Sequence, residues 1–102
     1  MSKRLAYLEK VTREGSPDPF VWYGLALEYK SLARHDEALQ TFTTLRQAHP
    51  EYVPMYLMCG QLLSDLERKD EARDWLSAGA LAAQKKGDTH AFSEIQTALD
   101  ML

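Results

Sequence analysis

The sequence contains little cysteine and no long hydrophobic run. Cys59 is its one cysteine, so an internal disulfide and a CxxC metal motif are both excluded. No stretch reaches the roughly 18 consecutive apolar residues that a membrane-spanning helix needs. No apolar run of about 7–15 residues follows Lys3 and Arg4, as a signal peptide requires. We therefore expect a protein of the reducing cytoplasm that has no membrane partner.

The sequence also lacks a surplus of positive charge. It has 12 lysines and arginines against 15 acidic residues, and its formal net charge is −3. A nucleic-acid-binding protein needs a basic face to neutralise phosphates. The densest basic pair is Lys85-Lys86, which we interpret as the complement of a helix C-terminal dipole. We expect no nucleic-acid partner.

Catalytic motifs are missing as well. The sequence has no glycine-rich phosphate loop, no HExxH and no GxSxG. His35, His49 and His90 are too far apart to form a local metal motif. Cys59 has no histidine at helical spacing, so we interpret it as a small core residue and not as a nucleophile. The sequence predicts no enzyme, no cofactor and no metal site.

A five-residue phrase that occurs twice is the strongest feature of the sequence. Arg34-His35-Asp36-Glu37-Ala38 is followed later by Arg68-Lys69-Asp70-Glu71-Ala72. The period is about 34 residues, and a fixed period of this size is typical of stacked structural repeats. The aspartate–glutamate pair holds the same position in both copies of the phrase. We therefore interpret these residues as helix caps and dipole partners and not as a catalytic acid pair.

The apolar residues follow helical spacing, and no alternating, strand-like run occurs. We predict six antiparallel helices of about 10–15 residues joined by short loops. The predicted starts are Ser2, Asp18-Pro19, Asp36, Pro54, Asp70 and either Asp88 or Thr89; the predicted ends include Gly15-Ser16-Pro17, His49-Pro50 and Gln84-Lys85-Lys86-Gly87.

Two successive units share a pattern of large and small residues. The first has Trp22, Leu25-Ala26, Tyr29, Ala38, Phe42 and Pro50, and the second has Tyr56, Cys59-Gly60, Leu63, Ala72 and Leu76. This pattern resembles the tetratricopeptide repeat, a helical hairpin of about 34 residues. The resemblance implies an all-α fold, a right-handed α–α superhelix. Ala26, Gly60, Ala38 and Ala72 would let paired helices approach closely.

The resemblance also implies an organisation for the chain. We expect a single domain over residues 1–102. Its predicted parts are an N-terminal half-repeat helix (1–18), two repeats (19–52 and 53–86) and a C-terminal capping helix (87–102).

In this family the first helix of each pair lines a concave groove that binds a peptide or a helix. The residues that would face the groove are Phe20, Tyr23, Gly24, Leu27 and Lys30, then Leu57, Met58, Gln61, Ser64 and Asp65, with Ser93, Glu94 and Thr97 from the sixth helix. One class of these domains grips a C-terminal carboxylate with several cations. Lys30 is almost the only cation here, so we expect an apolar or amphipathic protein partner instead.

Two alternatives to an open groove stay open at this point. The sixth helix could cover Leu57 and Met58, or the apolar surface could pair two copies of the chain as a homodimer. Trp75 is not on the same helical face as Ala72, Leu76 and Gly79, the face that we expect to be buried. It therefore either packs under the sixth helix, which we favour, or forms a second exposed surface.

Overall fold

The computed structural model describes residues 2–102, and all of its regular structure there is α-helical. The six helices are α1 (Lys3–Arg13), α2 (Pro19–Ser31), α3 (His35–Ala48), α4 (Pro54–Asp65), α5 (Lys69–Lys86) and α6 (Thr89–Asp100). The predicted all-α fold and its six helices are confirmed. No helix of residues 2–102 is long and apolar enough to cross a lipid bilayer.

Three helix starts are capped by the side chains that the sequence predicts. Ser2 Oγ accepts a hydrogen bond from the Leu5 N–H at 3.2 Å. Asp18 Oδ1 accepts one from the Phe20 N–H at 2.9 Å, and Pro19 follows at the first helical position. Asp88, and not Thr89, caps α6. Each cap satisfies one of the backbone donors that the first turn leaves without a helical partner.

Four helix ends share the Schellman motif, in which one left-handed residue lets two backbone N–H groups bond back to the last turn. Its left-handed residues are Gly15, Ala33, Glu67 and Gly87, with φ between 58° and 85°. In the turn after α2, the Ala33 N–H bonds to the Lys30 carbonyl and the Arg34 N–H to the Tyr29 carbonyl. The turn after α4 has the same geometry at the equivalent positions of the next repeat.

The predicted N-caps Asp36 and Asp70 are wrong. Helices α3 and α5 begin two positions earlier than predicted, with Arg34 and Arg68 at their N-caps and no side-chain capping bond. The reason is that each arginine already ends the preceding Schellman turn, so the next helix starts at once. The two aspartates lie in the first turn, where negative charge still complements the helix dipole.

The helices form two compact units, one reaching to His49 and the other spanning Pro50–Leu102. In the first unit, α1 packs on α2 and α2 packs on α3. Its core contains Leu5, Leu25 and Phe42, and Ala26 and Ala38 are both fully buried. This burial agrees with the small size that the sequence predicts for these two positions.

In the second unit, glycines set the distances from α5 to α4 and α6. A Cβ built on Gly60 would lie 2.6 Å from Leu76 Cγ, and one built on Gly79 would lie 2.4 Å from Tyr56 Cβ and 3.2 Å from Ile95 Cδ1. Position 56 therefore faces 79 while 60 faces 76, so α4 and α5 run antiparallel.

Helix α5 is longer than predicted because no proline interrupts residues 69–86. It carries much of the second core, a cluster of Val53, Leu76, Ala80, Ala83 and Ile95. Helix α6 packs on α5 through Ile95, and on α4 as well.

Two further predictions concern single side chains. Cys59 is fully buried, which confirms its predicted place in the core. Trp75 is buried and not exposed, and its ring lies 5.9 Å from that of Tyr56 on α4. The aromatic neighbour that the structure gives Trp75 is therefore on α4, whereas the sequence favoured cover by α6.

Candidate protein-binding site

A cavity of about 470 Å³ opens to solvent within the second unit, between α4 and α6. We call it the α4–α6 cavity. Helix α5 closes its base through Leu76. The lining residues are Leu57, Gly60, Gln61, Ser64 and Asp65 of α4, Leu76 of α5, and His90, Ser93, Glu94, Thr97, Ala98, Met101 and Leu102 of α6 and the residues after it.

Helices α4 and α6 run in the same direction along this cavity. Gly79 of α5 faces both Tyr56 and Ile95. Leu76 precedes Gly79 on α5 and faces Gly60, which follows Tyr56 on α4. Ala98 follows Ile95 on α6 and lines the cavity together with Leu76 and Gly60. The C-terminal ends of α4 and α6 therefore lie at the same end of the cavity.

The floor of the cavity is apolar. Leu57, Ala98 and Leu102 are half-buried and pack against the core cluster. Gly60 and Leu76 are in close contact, and both line the cavity. At the cavity's end lies Met101, whose flexible side chain is 82% exposed. Such a surface can bury an apolar side chain of a partner.

The rim of the cavity is polar and acidic. Asp65 and Glu94 contribute carboxylates, and no lysine or arginine is among the lining residues. Glu94 Oε1 lies 3.2 Å from His90 Nε2, an ion pair only when that histidine is protonated. Asp65 has no ion pair or hydrogen bond to another side chain within residues 2–102.

The structure places the predicted groove residues of α4 as follows. Leu57, Gln61 and Asp65 line the α4–α6 cavity together, and Ser64 joins them. Met58 is half-buried and does not line it. Helix α6 covers Leu57 in part and at the same time forms the opposite wall of the cavity.

The predicted groove residues of α2 belong to the first unit. Phe20 is 66% exposed, and Tyr23, Leu27 and Lys30 are half-buried. Gly24 is buried, and a Cβ at this position would be 3.7 Å from Leu8 Cδ2 of α1. The role of these residues in binding stays a prediction.

The sequence did not point to His90, Ala98, Met101 or Leu102. A signal was present, since Glu94, Thr97, Ala98 and Met101 follow the spacing i, i+3, i+4, i+7 of one helical face. Phe92, Ile95 and Leu99 form a more apolar stripe on the same helix, and this stripe gives the stronger periodic signal. The lining face is mixed in polarity, which hydrophobic periodicity detects poorly.

A second polar cluster lies in the first unit. The Tyr29 hydroxyl donates a hydrogen bond to Glu9 Oε2 of α1 at 2.6 Å, and the Arg34 guanidinium lies 4.8 Å from the centre of the tyrosine ring. Burial, and then the bond to Glu9, raise the pKa of Tyr29 to about 12. Arg34 also binds Glu37 through two hydrogen bonds of 2.6 Å. This cluster joins all three helices of the unit.

The Arg34–Glu37 pair recurs as Arg68–Glu71 with two bonds of 2.8 Å. In each pair the arginine's hydrogen bonds hold the pKa of the glutamate below its ordinary value. These pairs are exposed, so each contributes little stability. The repeated phrase therefore places one arginine–glutamate pair at the start of α3 and one at the start of α5, in addition to the small alanine.

No group of three or more metal-ligating side chains is found within residues 2–102. The side chains around the α4–α6 cavity offer apolar contact, hydrogen bonds and negative charge.

Comparisons with known proteins give a consistent result. A family model for the tetratricopeptide repeat matches residues 31–99. The crystal structure of a tetratricopeptide repeat domain protein from Salinibacter ruber is 35% identical, with a TM-score of 0.75 over 80% of this chain and 91% of that one. A solution structure of such a domain protein from the same organism is 35% identical, with a TM-score of 0.77 over 80% and 83% of the two chains.

A protein from Bordetella parapertussis shares the fold at 24% identity, with a TM-score of 0.82 over 99% of this chain and 88% of that one. Among curated proteins, no sequence matches. The family model covers about two thirds of the residues, and it includes both copies of the repeated phrase. The chain therefore belongs to the tetratricopeptide repeat family.

Proposed function

We propose that this chain is a protein-interaction module and that the α4–α6 cavity binds the apolar face of a peptide or an amphipathic helix. Tetratricopeptide repeat domains generally mediate protein–protein interaction and are typically scaffolds without catalytic activity. The observation that carries the proposal is an open cavity with an apolar floor and a polar rim. This arrangement is typical of sites where burial provides affinity and polar groups fix orientation.

The size of the cavity fits side chains and not a whole helix. A volume of about 470 Å³ can take one or two large apolar side chains of a partner, while the rest of the partner lies along α4 and α6. Burying one leucine or methionine contributes about 1.5–3 kcal/mol. Two such anchors and a few hydrogen bonds give a micromolar contact once the entropic cost of association is included.

Residues of α2, which belongs to the first unit, form a separate part of the proposal. Phe20 is the best candidate for a contact there, since its ring is largely exposed. We also propose that the chain has two full repeats, at residues 19–52 and 53–86. In this proposal residues 1–18 form an N-terminal half-repeat, and residues 87–102 form a C-terminal cap.

Self-association is a second candidate function, and specific exposed side chains favour it. Tyr7 of α1 is 64% exposed and Phe20 of α2 is 66% exposed, and large aromatic side chains are enriched at protein interfaces. Light scattering over a hundredfold concentration range tests this candidate. A constant monomer mass would exclude it, and a dimer that Tyr7→Gln or Phe20→Gln dissociates would support it.

A peptide selection tests the main proposal. Dodecapeptides are selected from a random displayed library on the whole chain, and their dissociation constants are measured for the wild type and two variants. Met101→Gln removes apolar character at the cavity without changing charge, and Leu81→Gln does the same at an exposed apolar position of α5 outside the cavity.

We expect Met101→Gln to weaken binding about tenfold, because roughly 1.4 kcal/mol of apolar burial is lost. Leu81→Gln should change affinity less than twofold. If no peptide binds, or if every selected peptide binds both variants like the wild type, the cavity is not the binding site.

A further inference from the structure

We infer that the partner of the α4–α6 cavity carries a lysine or arginine next to its apolar anchor, and that this cation lies between Asp65 and the C-terminal ends of α4 and α6. The inference rests on the proposed function. It adds the charge of the partner and the position of that charge.

The first observation is the charge of the lining. The carboxylates of Asp65 and Glu94 face the cavity, and no cationic lysine or arginine lines it. Asp65 makes no ion pair with any residue of 2–102. Glu94 has one polar neighbour, His90, whose Nε2 lies 3.2 Å from Glu94 Oε1. The cavity is therefore negative at its rim, and a cation is the complement it lacks.

The second observation concerns the helix ends. The last turns of α4 and α6 contain no basic residue. The other four helices each have at least one there: Lys10 and Arg13 in α1, Lys30 in α2, Arg46 in α3, and Lys85 and Lys86 in α5. A helix C-terminus carries about half a negative charge, and a cation placed there is stabilising. The two helices that lack such a cation are the two that line the cavity.

The third observation is that these charges meet at one place. Since α4 and α6 run in the same direction, both C-terminal ends lie beside Asp65 and Met101 at one end of the cavity. A single cation there would interact with one carboxylate and two helix ends. It would also have the Met101 side chain against its own aliphatic stem.

The geometry fixes the spacing in the partner. Asp65 lies five residues beyond Gly60, about 7.5 Å along the axis of α4 at about 1.5 Å per residue. An apolar side chain seated above Gly60 and Leu76 thus lies about one and a half turns from the site of the cation. In a helical partner, positions i and i+4 are about 6 Å apart, and a lysine or arginine side chain spans the remainder. We expect a large apolar residue and a basic residue three or four positions apart.

An acidic segment is disfavoured for the same reasons, because its carboxylates would meet Asp65, Glu94 and two negative helix ends without a cation to balance them. Like charges placed together across an interface reduce affinity and discriminate against such partners. Charge therefore selects among the many peptides that an apolar floor alone would accept.

The test uses the selected peptides and two variants with one charge change each. Asp65→Lys reverses the charge at the cavity. Asp74→Lys makes the same change at an exposed residue of α5 that does not line the cavity. We expect selected peptides to be enriched in a basic residue three or four positions from a leucine, methionine or phenylalanine. Asp65→Lys should weaken their binding at least tenfold, and Asp74→Lys less than threefold.

Salt provides a second readout. Raising the ionic strength from about 0.05 M to about 0.5 M screens exposed charges. It should weaken binding by the wild type severalfold and weaken binding by Asp65→Asn clearly less. The melting temperatures of all variants are measured alongside, since a folded variant is required for each comparison.

The outcomes separate this inference from the proposed function. If peptides lose affinity with Met101→Gln but bind Asp65→Lys as they bind the wild type, the cavity is a binding site and the inferred cation is wrong. If they are insensitive to both variants, both proposals fail. If the chain forms a dimer in solution that Asp65→Lys dissociates, a second copy occupies the cavity and the inference of a separate basic partner is overturned.

Discussion

Gly79 of α5 and Tyr56 of α4 are so close that a Cβ on the glycine would lie 2.4 Å from the Cβ of the tyrosine. Neither backbone can move away easily, because Ile95 of α6 lies 3.2 Å from the same point. We predict that Gly79→Ala lowers the free energy of unfolding by about 1–3 kcal/mol, through overpacking. Chemical denaturation followed by circular dichroism measures this change.

Gly24→Ala is the matched control for that substitution. Gly24 is also buried within a helix, but its added Cβ would lie 3.5 Å or more from its neighbours, which is ordinary contact. Alanine is favoured over glycine in a helix by about 1 kcal/mol. Gly24→Ala should therefore be neutral or stabilising. Equal destabilisation by the two variants would show that close approach is not what position 79 requires.

The small residue of the repeated phrase gives the second prediction. Ala38 is fully buried in the first unit. Ala38→Glu should lower the free energy of unfolding by about 3 kcal/mol or more, because it buries an unpaired charge in a filled core. Ala48→Glu changes an exposed alanine of the same helix and should cost less than about 0.5 kcal/mol. An unchanged melting temperature for Ala38→Glu would contradict the repeat register.

The turns after α2 and α4 give the third prediction. Ala33 and Glu67 have φ of 58° and 61°, whereas glycines hold the matching positions after α1 and α5. A left-handed conformation is unfavourable for a residue with a Cβ. We predict that Glu67→Gly and Ala33→Gly each stabilise the protein by about 0.5–1 kcal/mol, measured by thermal unfolding. Gln40→Gly, within α3, should instead destabilise it by a similar amount; stabilisation by all three would refute the explanation.

The fourth prediction concerns the Tyr29–Glu9 hydrogen bond. Tyr29→Phe removes a donor to a charged acceptor and should cost about 1–2 kcal/mol at pH 7. The pKa of Tyr29 is raised from 10.0 to about 12 in the folded protein, so the folded state holds this proton more tightly than the unfolded state does. The bond's contribution is therefore complete below pH 10 and is lost as the pH rises through about 12.

Unfolding free energies of the wild type and Tyr29→Phe, compared between pH 6 and 12, check this. The difference between the two proteins should shrink as the pH rises above 10, and it should be constant from pH 6 to 9. A difference that does not change up to pH 12 would mean that the tyrosine proton is not held by Glu9.

The period of the repeated phrase was sufficient to predict the helices and their pairing, because close helix contact demands small residues at fixed positions. Ala26, Ala38 and Gly60 all lie where that requirement predicts them. The caps of α3 and α5 could not be predicted in the same way. Asp36 looks like an N-cap in sequence, but the Schellman turn before it uses a non-glycine left-handed residue, Ala33, which leaves no sequence signal.

The candidate site was predictable only in part. Leu57, Gln61 and Asp65 were named from the family pattern, and they line one cavity. Met101 and Ala98 were missed, because a surface of mixed polarity gives a weak periodic signal. The sequence shows that the ends of α4 and α6 contain no basic residue. Only the structure shows that these two ends lie beside one cavity, where a partner's cation could interact with both.

The most direct measurement is the set of intermolecular nuclear Overhauser effects between a selected peptide and the isotope-labelled chain. We predict contacts from the peptide's apolar side chain to the Met101 ε-methyl group and to the Leu57 methyl groups, which line the α4–α6 cavity. Contacts confined to other exposed apolar groups, such as the methyl groups of Leu81 on α5, would contradict the account.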